Sequence, residues 1–183
     1  TTTNGVEIGM LAVSEFKTIA IVSHGNDSVN VGFSWVLTFQ DCDIYQNRRD
    51  GYRFDKTIHA SGLTDDQNAI RILGGRVVGN YERGVNLVGG IDNVMYGVDV
   101  EANHKEGILL QRPYTFGIVD CHLERNGREN NSHSISAVKI GGDSGFGVTV
   151  RGGLVHGSEN AAPNHTYGIN LDGCYNSVID GVS

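Results

Sequence analysis

The chain has 183 residues, enough for one domain with a buried core. Glycine takes 26 positions and proline 2, and 39% of residues are hydrophobic, which excludes collagen-like and disordered chains and indicates a turn-rich β protein. The formal charge of −7, with 14 Lys+Arg against 21 Asp+Glu and no basic run, excludes the clustered cations that a nucleic-acid partner requires, leaving a neutral or cation-assisted ligand.

Along the chain, Thr1-Thr2-Thr3-Asn4-Gly5 lacks the basic and apolar regions of a signal peptide, and no stretch reaches the ~18 apolar residues of a membrane span. Membrane insertion is therefore not expected. Residues 1–35 read as less regular first coils, within which Gly5-Val6-Glu7-Ile8 shows a small residue followed by apolar-x-apolar. The same motif returns at Gly51-Tyr52-Arg53-Phe54, Gly84-Val85-Asn86-Leu87, Gly107-Ile108-Leu109-Leu110, Ala137-Val138-Lys139-Ile140 and Gly168-Ile169-Asn170-Leu171.

A second pattern precedes these copies over the regular region, 36–183. It reads apolar-x-apolar, a small or apolar residue three further on, another apolar residue, then Asn. Its copies are Leu37, Phe39, Cys42, Ile44, Asn47; Ile70, Ile72, Gly75, Val77, Asn80; and Phe116, Ile118, Cys121, Leu123, Asn126. Looser copies run through Val98, Val100, Asn103 and through Val148, Val150, Gly153, Val155. The segment from Asn86 to Val98 also aligns without gaps to that from Asn170 to Val182.

Period-two alternation means strands, and runs this short form sheets only when successive turns of chain stack in parallel at ~4.8 Å. The fold class is therefore all-β, a right-handed single-stranded parallel β-helix of about six rungs forming one domain over 1–183. The chain stops partway into what reads as a further rung at Val178–Ser183, so a longer protein is expected. Cys42 and Cys121 fall at one inward position with Gly75, Val98 and Gly153, and with Cys174 they are read as reduced thiols without zinc-ligand spacing. Asn47, Asn80, Asn103 and Asn126 are read as a turn ladder, since Asn tolerates left-handed backbone and can hydrogen-bond along a stack. Sequons at Asn26, Asn130 and Asn164, the polar stretch Asn126–Ser134 and Asp65-Asp66 read as loops.

These rungs, notably 167–179 and the Glu-x-Asn copies Glu101-Ala102-Asn103 and Glu124-Arg125-Asn126, resemble the pectate-lyase-like right-handed β-helices, and among them phage tailspikes and tail appendages. The resemblance covers about Thr38 to Ser183. It implies a homotrimer, in a virion tail or otherwise extracellular, that binds and often cleaves cell-surface polysaccharide. The polygalacturonase signature is missing, for Asp65-Asp66 stands apart from any Asn-Thr-Asp rung and His156-Gly157 is half of a Gly-His-Gly rung.

Aligning the Asn-ended rungs places Asp43, Arg76, Asp99 and His122 in one outward column and Tyr45, Val78, Glu101 and Glu124 in the next. Glu101 over Glu124 approaches the ~5–5.5 Å of a retaining glycosidase pair, and Asp99 diagonal to Glu124, near ~8 Å, suits an inverting pair. The expected catalytic residues are Asp99, Glu101, Glu124 and His122, with stacked carboxylates supplying acid and base and His122 relaying the proton. Arg76, Asp43, Tyr45 and Tyr96 are the expected substrate contacts. One alternative is a lyase acting on uronate, with Arg76 or His122 as base and Ca²⁺ on Asp43 or Asp99. Another is a non-catalytic fibre or adhesin module; otherwise no cofactor is expected.

Overall fold

A computed structural model describes residues 3–55, 57–58, 64–65, 67–127, 133–139, 144–156 and 168–183. The motif of a small residue before apolar-x-apolar builds the first sheet, whose seven strands begin at Val6–Ile8, Val29–Val31 and Tyr52–Phe54 and end at Ile169–Asp172. The leading half of the Asn-ended pattern builds the second sheet, from Leu11–Lys17 to Cys174–Tyr175 and Val178–Asp180. Its trailing half builds the third, six strands of three residues: Ala20–Val22, Asp43–Tyr45, Arg76–Val78, Asp99–Glu101, His122–Glu124 and Leu154–His156. The chain visits the three sheets in turn, and every pairing within them is parallel. This is a right-handed parallel β-helix.

Alternation decides what enters the lumen. In the third sheet the middle residue of each strand points inward, so Ile21, Ile44, Val77, Val100 and Leu123 form one buried column. The first sheet contributes two columns, one through Val29, Tyr52, Val85, Ile108 and Ile135, the other through Val31, Phe54, Leu87, Leu110 and Ala137. Rings fill the lumen where aliphatic stacking gives way: Phe16 lies on Phe39 at 5.0 Å, and Phe39 meets Tyr52 edge-on at 5.2 Å.

The repeat is confirmed at residue level, with one correction. Asn86 and Asn170, Ile91 and Tyr175, and Val94 and Val178 share columns, as the gapless alignment requires. The strand opposite Ile108–Gln111, however, begins at Ile135, so Ser134-Ile135-Ser136-Ala137 is the true copy and Ala137-Val138-Lys139-Ile140 is out of register by three. The insertion ahead of the strand conceals this, because both segments satisfy the motif.

Cys42, Val98 and Cys121 are buried as expected, and burial pushes the Cys121 thiol up. The glycines at this register behave differently. Gly75 and Gly153 have φ of 75° and 72°, and a Cβ there would collide with the backbone of Cys42 and Cys121 in the coil beneath. Only glycine lets the backbone pass so close.

The asparagine ladder is present and fully buried. Asn80 Oδ1 accepts from the Asn47 backbone N–H (3.1 Å) and side-chain amide (2.9 Å); Asn103 does the same for Asn80, and Asn126 for Asn103. The left-handed residue is the one before each Asn, namely Gln46, Gly79, Ala102 and Arg125. The asparagine is selected for its hydrogen bonds and not for its φ.

Asp65 is not in an open loop: Thr64–Asp65 pairs antiparallel with Thr57–Ile58 in a hairpin between coils. Asn26 sits half-buried at a corner, its amide donating to Asn4 Oδ1 at 2.7 Å, with Asp27 and Ser28 buried beside it. The other two sequons lie outside the described residues, as does most of the Asn126–Ser134 insertion.

Candidate functional site: an ionisable sheet face and the groove beside it

In a three-residue strand whose centre faces the lumen, both flanking residues face solvent. The third sheet therefore presents two outward columns, in the register the repeat dictates: Asp43–Arg76–Asp99–His122–Leu154 and Tyr45–Val78–Glu101–Glu124–His156. Seven of the eight expected site residues, Asp43, Arg76, Asp99, His122, Tyr45, Glu101 and Glu124, thereby stand in two short columns, and Tyr96 does not. That residue ends the second-sheet strand Ile91–Tyr96, and the left-handed corner at Gly97 turns it off this face.

The charges organise into three groups. Arg76 donates from Nε and Nη2 to the two Asp43 oxygens at 3.3 Å each, and its guanidinium stands 5.3 Å from the Tyr45 ring centroid. That pairing holds the Asp43 carboxyl below its ordinary range; desolvation, then Asp43 itself, raises the Tyr45 phenol. His122 lies between two carboxylates, Nδ1 3.5 Å from Asp99 Oδ1 and Nε2 3.5 Å from Glu124 Oε2. Asp99 Oδ1 is shielded from solvent and accepts no hydrogen bond.

Arg125 was not expected from the sequence. It pairs with Glu101 and, through Nε at 3.1 Å, with Glu124 Oε1, so one guanidinium bridges the stacked glutamates and offsets their repulsion. Its left-handed φ of 54° belongs to the corner column, where sequence reading sees only a turn residue.

A Ca²⁺ site does not fit this face. Asp43 is committed to Arg76, and no group of three or more His, Cys, Asp or Glu side chains is arranged for a metal among the described residues.

Along the edge of the same sheet runs an open groove of about 470 Å³, floored by Gly79 and Ala102 and walled by Tyr81 and His104. Tyr81 and His104 follow successive ladder asparagines and stack at 4.9 Å with 22° between planes. The position after each Asn in the repeat was the signal available for finding them.

The class defined by fold and face is a right-handed parallel β-helix with a solvent-open carboxylate column. Comparison with solved structures supports that fold. The chain is similar to the A-module of the Azotobacter vinelandii mannuronan C-5 epimerase AlgE4, with a TM-score of 0.66 and 18% identity, over 96% of this chain and 50% of that one. It also matches tailspike protein 3 of bacteriophage CBA120 at a TM-score of 0.48 and 11% identity, over 98% of this chain and 35% of that one. The chain thus spans 50% of the length of the first of these proteins and 35% of the second. No protein-family model matches it, and no curated protein does.

Proposed function

We propose that this β-helix binds a surface polysaccharide along its third-sheet face and hydrolyses it, with Glu124 as general acid and Asp99 as general base. The carrying observation is His122 standing at 3.5 Å from both carboxylates on an open face. Register spacing sets Asp99 and Glu124 about 8 Å apart, within the ~6.5–9.5 Å of inverting enzymes. In this reading Glu124 protonates the leaving glycosidic oxygen as the C1–O bond breaks. Water adds to C1 from the opposite side and gives its proton to Asp99, and His122 returns that proton toward Glu124. Arg125, itself paired with Glu101, fixes the position of Glu124.

Asp43, Asp99, Glu101 and Glu124 outnumber Arg76 and Arg125 on this face, which favours a neutral glycan over a uronate. Elimination is less well served, because Arg76 is pinned by Asp43 and its guanidinium pKa is raised by that partner. A second reading, binding without cleavage, is supported by Arg125 satisfying both glutamates as a purely structural pair would.

Product analysis separates these readings. Incubation with bacterial capsular polysaccharide or lipopolysaccharide should release reducing ends of inverted configuration; unsaturated ends mean a lyase, and retained binding without release means an adhesin. Asp99→Asn and Glu124→Gln should each lower kcat about 10²- to 10⁴-fold with unchanged folding. Wild-type turnover in both variants removes the assignment.

We also propose a homotrimer in a virion tail or other extracellular setting. Trp35, Ile91, Phe146 and Tyr175 are exposed along one register column of the second sheet, with Asn68 between the first two; they support contact between copies there, and light scattering would read the mass directly.

A further inference from the structure

We infer that the groove beside the third sheet is a separate sugar-binding subsite, in which Tyr81 backed by His104 stacks on the apolar face of a neutral hexose ring. It deepens the polysaccharide reading without depending on the chemistry assigned to Asp99 and Glu124.

The groove exists because of the repeat. The first five strands of the third sheet are each followed by one left-handed residue: Ser23, Gln46, Gly79, Ala102 and Arg125, with φ between 52° and 65°. Four of these carry a side chain despite the strain that L residues meet there, so the backbone does not demand glycine. Where the column holds Gly79 and Ala102 the floor drops; where it holds Gln46 and Arg125, long side chains stand up. A Cβ at Gly79 would touch only Gln46 Cγ at 3.6 Å, so that space is open.

The wall is equally a column. The ladder draws the backbone N–H of Tyr81 to the Asn47 carbonyl at 2.8 Å and that of His104 to the Asn80 carbonyl at 3.0 Å, which sets the two rings one above the other. Tyr81 is 57% exposed, so much of its ring stays open to a ligand although it stacks on His104. A second hollow of about 450 Å³ continues past Tyr81 to His24 and Arg48, sharing Ser23 and Gln46 with the first. The combined trough runs along the coil axis over several rungs at ~4.8 Å each, the shape of a linear polymer and not of a single small molecule.

The chemistry matches a pyranose. One ring face offers C–H groups to an aromatic platform, while hydroxyls at its edge find the Ser23 hydroxyl, the Gln46 amide and the Arg48 guanidinium. The direction also fits: Glu101 immediately precedes Ala102 and Val78 precedes Gly79, so a chain in the trough lies beside the carboxylate column.

The test uses aromatic ¹H–¹³C NMR of the protein titrated with methyl glucoside, methyl mannoside, methyl galactoside and their neutral oligosaccharides. Tyr81 and His104 resonances should move with at least one probe, more strongly as the oligosaccharide lengthens. Tyr81→Ala should weaken that binding roughly tenfold and Tyr81→Phe should retain most of it. Ala102→Gln, which copies the side chain already accommodated at Gln46, should block the trough with unchanged melting and serves if Tyr81→Ala folds poorly. A protein whose Tyr81 and His104 resonances move with a probe but which releases no product retains the subsite and loses only the hydrolase reading. Unmoved Tyr81 and His104 resonances with every probe, or wild-type affinity in both Tyr81→Ala and Ala102→Gln, would overturn the inference.

Discussion

Asp27 shows how a single side chain registers its position in the coil. It is buried at the corner below the first sheet, where Oδ1 accepts from the Asp50 backbone N–H at 3.0 Å and Oδ2 lies 3.7 Å from Arg49. Burial raises its pKa, and the Asp50 N–H and Arg49 only partly oppose that. The folded state therefore holds this proton more tightly than the unfolded chain, so stability falls as pH rises from the ordinary carboxylate range through the raised value. Asp27→Asn keeps the acceptor for Asp50 and removes the titration. Urea midpoints of the variant should gain on wild type progressively from acid to neutral pH; a constant offset across that range would contradict the assignment. Asp43 has the opposite sign, its carboxyl held low by Arg76, so its contribution is present above the ordinary range and lost on acidification through the lowered value. With both partners substantially exposed, that contribution is small.

The asparagine ladder is the element whose loss should be felt most per atom removed. Asn80 stands between Asn47 and Asn103, accepting two hydrogen bonds and donating two. Asn80→Ala leaves the Asn47 N–H and amide without their acceptor in a buried corner, at a cost of about 1–3 kcal/mol per unsatisfied group. Chemical denaturation should detect it, and Asn80→Asp, which keeps the acceptor, should recover part of the loss. A lumen truncation tests the stack in a different way: Leu123→Ala, buried in the third sheet's inward column, should cost about 2–5 kcal/mol through lost burial and cavity.

At the scale of the molecule, stability is a chain of nearest-neighbour terms, since each coil touches only the coils above and below. Strands with a neighbour on both sides should open least often. Measured on the 183-residue chain by itself, native-state hydrogen exchange should accordingly show stronger protection of Val77, Val85, Val100 and Leu110 than of Val6, Ile8 and Ile21, and uniform protection would argue for a single cooperative unit. The same linear order separates the faces, charge lining the third sheet and exposed apolar side chains the second.

Sequence alone determined the coil, its inward columns and the outward column Asp43–Arg76–Asp99–His122, because a parallel stack converts equal positions in a repeat into neighbours in space. Only the tertiary structure decided how that face is wired: Arg125 across the two glutamates, His122 between Asp99 and Glu124, and Tyr96 turned aside by the Gly97 corner. It also moved the small-residue motif from Ala137 to Ser134. The reason is physical. Backbone register repeats and can be read along the chain, whereas rotamers, corner angles and insertion lengths are set by contacts between coils and carry no period.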